Sequence, residues 1–171
     1  LSSDLMGDER SIGILCEGRP EIMSHNRETV RRLTPLVRSR STYDRSLSFL
    51  ELVGKIDTGA IVKSSLMLGL GETVEELIQA MDDLLSVGVK VLNLGQYLQP
   101  ARTNIPVKKF WKPAEFLELR KIALEKGFFY CEAGPLVRSS YHAGLQYQSI
   151  RGRMDWPPPE SPIVDTRASK S

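Results

Sequence analysis

The strongest constraint lies in the middle of the chain, where a run too apolar to face water leads into a helix with one apolar side. Residues 60–68, Ala-Ile-Val-Lys-Ser-Ser-Leu-Met-Leu, form a β-rich run that stops at Gly69-Leu70-Gly71. Val74, Leu77, Ile78, Met81, Leu84 and Leu85 then recur at spacings of three and four, the period of a helix that buries one face. Thr73 and Glu76 form a capping-box pattern, in which each side chain satisfies a backbone N–H that the helix leaves unpaired. Gly88 is placed to stop this helix, and Val89 to Leu94 reads as the next strand. The rhythm then repeats. Pro113 opens a helix in the first turn, where its missing N–H costs nothing. Phe116, Leu119, Ile122 and Ala123 line its apolar side, Gly127 ends it, and Phe128 to Cys131 reads as a short strand. Upstream, Ile22 to His25 suggests a short strand and Tyr43 to Val53 a helix. Strands alternating with helices imply βαβ units and a parallel α/β sheet of roughly four or five strands, too few for a closed eightfold barrel.

Composition narrows the function classes. The 171 residues suit one ordinary domain, and 41% hydrophobic content supplies a packed core. Twenty-three basic against 21 acidic residues leave a net charge of +2, which gives no case for a nucleic-acid or anionic-membrane partner. The one basic stretch, Arg31, Arg32, Arg38, Arg40 and Arg45, reads first as a solvated face and second as a seat for an anionic ligand end. No apolar run approaches the ~20 residues of a membrane-spanning helix. Leu1-Ser2-Ser3-Asp4 lacks an initiator Met, a basic segment and an apolar segment; it reads as a cut within a longer chain, not as a secretion signal. Cys16 and Cys131 have no companions at metal-ligand spacing, read as small core residues, and fit a reducing compartment. Past Arg151, the Trp156-Pro157-Pro158-Pro159 run and a Ser/Lys-rich end break all apolar periodicity. We therefore expect a domain over residues 1–150 and a disordered tail over 151–171.

Ligands of open or barrel-like parallel sheets bind at the carboxyl ends of the strands, and four polar clusters are expected there. In the first, Asn26 and Glu28 offer an amide and a carboxylate suited to an ammonium group or a ribose hydroxyl; helix capping by Asn26 fits the spacing equally well. His25 beside them reads as a hydrogen-bonded structural histidine before a general base. Next, Lys63-Ser64-Ser65 places a lysine in an apolar run, which requires a partner or a polar cavity; the flanks are too apolar for a solvated edge strand. The adjoining Gly69-Leu70-Gly71-Glu72 turn could offer free N–H groups to a carboxylate or phosphate. Gln96, Tyr97, Gln99 and Arg102 suggest recognition of a polar backbone, or a loop satisfying its own carbonyls. Arg138-Ser139-Ser140-Tyr141-His142 lacks the G-x-S-x-G elbow and the acidic third member of a serine hydrolase.

The strings His25-Asn26-Arg27-Glu28-Thr29-Val30, Lys63 to Thr73, Gly95 to Arg102 and Gly134 to Ala143 resemble lipoyl synthases in order and approximate spacing, from about Leu1 to Gln148. The resemblance implies a portion of a radical S-adenosylmethionine partial (β/α)6 barrel. It implies a family activity too: two sulfur atoms inserted at C6 and C8 of an octanoyl chain on a carrier-protein lysine. One [4Fe–4S] cluster cleaves S-adenosylmethionine to a hydrogen-abstracting radical, and an auxiliary [4Fe–4S] cluster donates the sulfur. Position by position, Asn26, Glu28, Lys63 and Ser64 resemble the S-adenosylmethionine side of the site, and Gln96, Tyr97 and Arg102 the substrate approach. Ser139 resembles the serine ligand of the auxiliary cluster, with Arg138 compensating charge.

Arg27, Ser65 and Ala101 depart from common family residues. The family's two three-cysteine motifs have no counterpart here, so this piece alone is expected to hold no cluster and to be inactive. The implied partners are an octanoylated lipoyl-carrier protein and a reductant protein such as ferredoxin or flavodoxin. The implied compartment is the cytoplasm, or a mitochondrion or plastid in a eukaryote. A rival reading is a non-catalytic remnant or a binding module for the lipoyl-carrier protein.

Overall fold

A computed structural model describes residue 5 and residues 8–18, 20–38, 41–56 and 59–139. The expected tail over 151–171, together with Ser140, Tyr141 and His142, lies outside the described residues. Four strands, β1 (Ile22–Ser24), β2 (Ile61–Leu68), β3 (Val91–Gln96) and β4 (Tyr130–Gly134), form one sheet in sequence order. Every pair is parallel, with Ser24 opposite Lys63, Ser65 opposite Asn93, and Asn93 opposite Glu132. The helices are α1 (Glu9–Glu17), α2 (Thr34–Val37), α3 (Tyr43–Ile56), α4 (Val74–Ser86) and α5 (Pro113–Lys126), and a 3-10 turn at Arg31–Leu33 leads into α2. This is an α/β fold with the alternation expected of one section of a partial (β/α) barrel.

Residues alternate between the two faces of each strand. Met23, Val62, Leu66, Leu68, Leu92, Leu94 and Cys131 join the helices in the main core. Phe49, Leu50 and Val53 of α3 enter that core, as do Leu77, Ala80, Met81 and Leu84 of α4 and Phe116, Leu119 and Ala123 of α5. On the opposite face the alternation places Lys63, Ser65 and Met67 of β2, Asn93 and Gly95 of β3, and Glu132 and Gly134 of β4. That polar row is the basis of the site.

Local signals explain most boundaries. The Thr73–Glu76 capping box forms, with Glu76 N donating to Thr73 Oγ1 at 3.3 Å and Thr73 N donating to Glu76 Oε2 at 2.9 Å. Pro113 opens α5 and Gly127 closes it in the left-handed conformation. Three expectations shift. Strands β3 and β4 begin two residues later than their apolar runs, so Gly95 and Gln96 belong to β3 instead of following it. Lys63-Ser64-Ser65 sits in the middle of β2, not at its end. Val74 is 39% exposed, because the helix turns its first residue outward. Helix α1 was not expected; it is capped by Asp8, which accepts from Ser11 N at 3.0 Å, and it buries Ile12 and Cys16.

Candidate functional site

The carboxyl ends of the strands converge on a cavity of about 330 Å³. Among its lining residues are Asn26, Glu28, Ser65, Gln96, Tyr97, Arg138 and Ser139, so members of all four sequence clusters meet there. Lys63, Ser64 and Arg102 are not in that lining.

Asn26 and Glu28 are aimed by an irregular extension of β1. Arg27 N and Glu28 N both donate to Ser65 O, at 3.2 and 3.1 Å, and Met67 N donates to Glu28 O at 2.7 Å. Two donors on one carbonyl push the chain out of register, and Glu28 takes a φ of 70°. A left-handed glutamate is uncommon and strained, and such strain concentrates where a side chain must be presented. Asn26 Oδ1 is buried with no hydrogen-bond partner among the described residues. Burial raises the Glu28 carboxyl above its ordinary range, against the opposing pull of a hydrogen bond from Asn26 and the charge of Arg38. Two acceptors facing a cavity, one unsatisfied and one a carboxyl disfavoured in its charged form by burial, suit a cationic or donor-rich ligand group.

Ser64 is fully buried and joins backbones instead. Its Oγ donates to His25 O at 2.9 Å and accepts from Arg27 N at 3.2 Å, fixing the extension that carries Asn26 and Glu28. Lys63 is 2% exposed on a strand paired on both sides, which rules out a solvated edge. Desolvation pulls its ammonium down to about 8, with Glu132 opposing. His25 packs on the helix side, its Nε2 3.1 Å from Ser46 Oγ and its ring 4.9 Å from Phe49, in a structural setting away from the cavity.

Two backbone donors of the glycine turn are taken up within the chain. Glu72 folds back so that its carboxylate accepts from Gly69 N at 2.6 Å, Leu70 N at 2.9 Å and Trp111 Nε1 at 3.0 Å. The Gly69 and Leu70 N–H groups are therefore occupied from within and do not face a ligand carboxylate or phosphate. Three members of the arginine stretch are likewise internally paired: Arg31 with Asp44 at 2.7 Å, Arg32 with Glu76 at 2.7 Å, and Arg38 donating to Asn26 O at 3.0 Å, while Arg40 lies outside the described residues.

Gln96 and Tyr97 line the cavity with their bodies while their polar atoms build the loop over residues 97–112. Gln96 Nε2 donates to Lys109 O at 3.1 Å, its Oε1 accepts from Trp111 N at 3.0 Å, and Tyr97 OH donates to Ile105 O at 2.9 Å. Gly69 has a φ of 108°, and a Cβ there would collide with Gln96 Nε2 and Lys109 O. Lys108 N donates to Gly69 O at 2.8 Å and completes the closure.

The Arg138-Ser139 segment is fixed by Gly95 and by Asn93, of which only Gly95 belongs to the polar clusters legible in the sequence. A Cβ at Gly95 would run into Val137 O, so only glycine admits the segment across β3. Two residues back on the same face, Asn93 Nδ2 donates to Arg138 O at 2.9 Å and to Ser139 O at 3.5 Å. An amide between Leu92 and Leu94 in a buried strand was the available signal, by the reasoning that singled out Lys63. Arg138 curls back, its Nη1 donating to Val137 O at 2.8 Å. Among the described residues, no group of three or more His, Cys, Asp or Glu side chains could hold a metal ion. No helix among them is long and apolar enough to cross a membrane.

Parallel strands in sequence order, helices between them and a cavity at the carboxyl ends are the features of one section of a partial (β/α) barrel. No family model matches the chain. It is 55% identical over 151 residues to the lipoyl synthase of Bacillus mycoides (strain KBAB4), covering 88% of this chain and 51% of that protein. It is 54% identical over the same span to the lipoyl synthases of Bacillus thuringiensis (strain Al Hakam) and Bacillus cereus (strain G9842). The chain corresponds to the C-terminal part of a lipoyl synthase, and it spans about half the length of these relatives.

Proposed function

We propose that the chain supplies the S-adenosylmethionine and substrate half of a lipoyl synthase, the sulfurtransferase that inserts sulfur at C6 and C8 of a protein-bound octanoyl chain. The observation that carries this reading is the cavity that gathers Asn26, Glu28, Arg138 and Ser139.

The acceptors at the cavity fit S-adenosylmethionine. Its methionyl ammonium offers donors to the orphaned Asn26 Oδ1, and its positive charges favour the ionised form of Glu28. Ser64 acts at one remove, by locking the backbone that aims both side chains. In this family S-adenosylmethionine and its cluster supply hydrogen abstraction, and a second cluster supplies sulfur. This chain's own part is to bind, orient and exclude water. Ser139 would offer a hydroxyl oxygen to the auxiliary cluster from a backbone pinned by Asn93. Gln96 and Tyr97 shape one wall of the acyl approach, with Arg102 further out along the loop. The cluster cysteines would come from the half of the enzyme that this chain does not span, and the piece alone would be inactive.

The test joins the N-terminal half of the Bacillus mycoides relative to this chain and supplies iron, sulfide, S-adenosylmethionine and an octanoyl-lysine peptide. Lipoyl product is expected. Glu28→Gln should weaken S-adenosylmethionine binding by about tenfold, the scale of one lost charged contact. Ser139→Ala should leave S-adenosylmethionine cleavage intact while suppressing sulfur insertion. Lipoyl product undiminished in both variants would overturn the assignment.

A further inference from the structure

The loop that closes over the strand ends has a charge pattern unlike the rest of the chain. Residues 98–112 contain Arg102, Lys108, Lys109 and Lys112 and no acidic residue, in a protein whose overall balance is only +2. Lys109 is engaged: its Nζ is 2.7 Å from Glu115 and 3.6 Å from the Trp111 ring centroid. The other three cations are exposed. Phe110, 69% exposed, stands between Lys108 and Lys112, and Leu98, 50% exposed, opens the loop ahead of Arg102.

The position of the loop matters as much as its charge. It begins at the cavity, where Leu98 and Pro100 form part of the wall. It then crosses the carboxyl ends of β3 and β2, held by the Gln96, Tyr97 and Gly69 hydrogen bonds and by Gln99 Nε2, which donates to Asn104 O at 2.8 Å. A segment tied down at this many points presents its cations without a large ordering penalty on binding.

We infer that this strap docks the acidic face of the protein that presents the acyl chain; the inference rests on the lipoyl synthase reading. A macromolecular substrate must approach the end of the sheet where the cavity opens, and the strap lies at that rim. Exposed aromatic and aliphatic side chains among separated cations have the character of a protein interface, an apolar anchor with a charged surround. Three cations spread over so short a loop are too sparse to follow a nucleic-acid backbone or an anionic bilayer.

The measurement is direct binding, so that it stands apart from catalysis. The Kd of an octanoylated lipoyl-carrier domain of net negative charge is read by fluorescence anisotropy on the half-enzyme fusion, at low and physiological salt. The comparison is Lys108→Glu/Lys112→Glu. Lys112 precedes α5, where a carboxylate is favourable to the helix, so the variant is expected to fold. Kd should rise at least tenfold and its salt dependence should flatten. A control reversal at Lys55 and Lys121, exposed on α3 and α5, should leave Kd within about twofold. Equal losses in both reversals, or an unchanged Kd in the strap variant, would overturn the inference. So would tighter strap-dependent binding of an oligonucleotide or an anionic vesicle than of the carrier. If the fusion makes no lipoyl product while the strap reversal still weakens carrier binding, the catalytic reading falls and the docking surface stands.

Discussion

Replacing the buried Arg27 with an apolar side chain should stabilise this chain. Arg27 is fully buried, and none of its three guanidinium nitrogens has a hydrogen-bond partner among the described residues. Its main compensation is the ring of Tyr43, whose centroid lies 3.3 Å from the guanidinium carbon. Desolvation pulls the Arg27 pKa down to about 10 from its ordinary value. A fall of that size disfavours the charged form by about 3 kcal/mol. The stacked ring returns at most about 2 kcal/mol at a desolvated site. Arg27→Met removes the charge, keeps an unbranched side chain of similar reach against Tyr43, and forfeits the stacking. The net expectation is a gain of roughly 1–2 kcal/mol at neutral pH. Equilibrium urea unfolding followed by tryptophan fluorescence and circular dichroism would show it as a midpoint about 0.5–1 M higher at unchanged slope. Arg27→Lys should lower the midpoint, because an ammonium loses the planar stacking while keeping the buried charge. A loss of stability in Arg27→Met of 1 kcal/mol or more would refute the reasoning, since it would mean that the guanidinium meets an acceptor in solution.

Two further outcomes follow from the buried face of the sheet. Lys63 has its pKa lowered to about 8 when folded, so between pH 8 and the ordinary lysine value of about 10.4 the unfolded chain binds more protons than the folded one. Stability should therefore rise with pH across that window relative to Lys63→Met; parallel pH profiles for the two proteins would remove the buried charge from the account. Gly95→Ala forces Val137 and its neighbours off β3 and should cost roughly 1–3 kcal/mol, with faster amide exchange over residues 137–139. Exchange unchanged there would show that the segment does not rest on β3.

The elements were legible where a signal is local. The capping box at Thr73 and Glu76, the proline and glycine that bound α5, and the apolar period of α4 all act within a few residues. Helix α1 escaped notice because it buries only Ile12 and Cys16 and carries Gly13 inside it. At the site, residue types were legible but their allegiances were not. Whether Glu72 serves a ligand or its own turn depends on Trp111, 39 residues away, and whether Gln96 faces substrate or loop depends on Lys109. Asn93 was missed because its partners lie 45 and 46 positions downstream.

The left-handed Glu28 sets folding against recognition at a single position. An L side chain there carries a backbone penalty of about 1–2 kcal/mol that glycine would largely avoid. Variants chosen only for heat resistance should drift at this site toward glycine or asparagine and lose the carboxylate that faces the cavity. A glutamate there keeps the carboxylate at the cavity at the expense of that backbone penalty.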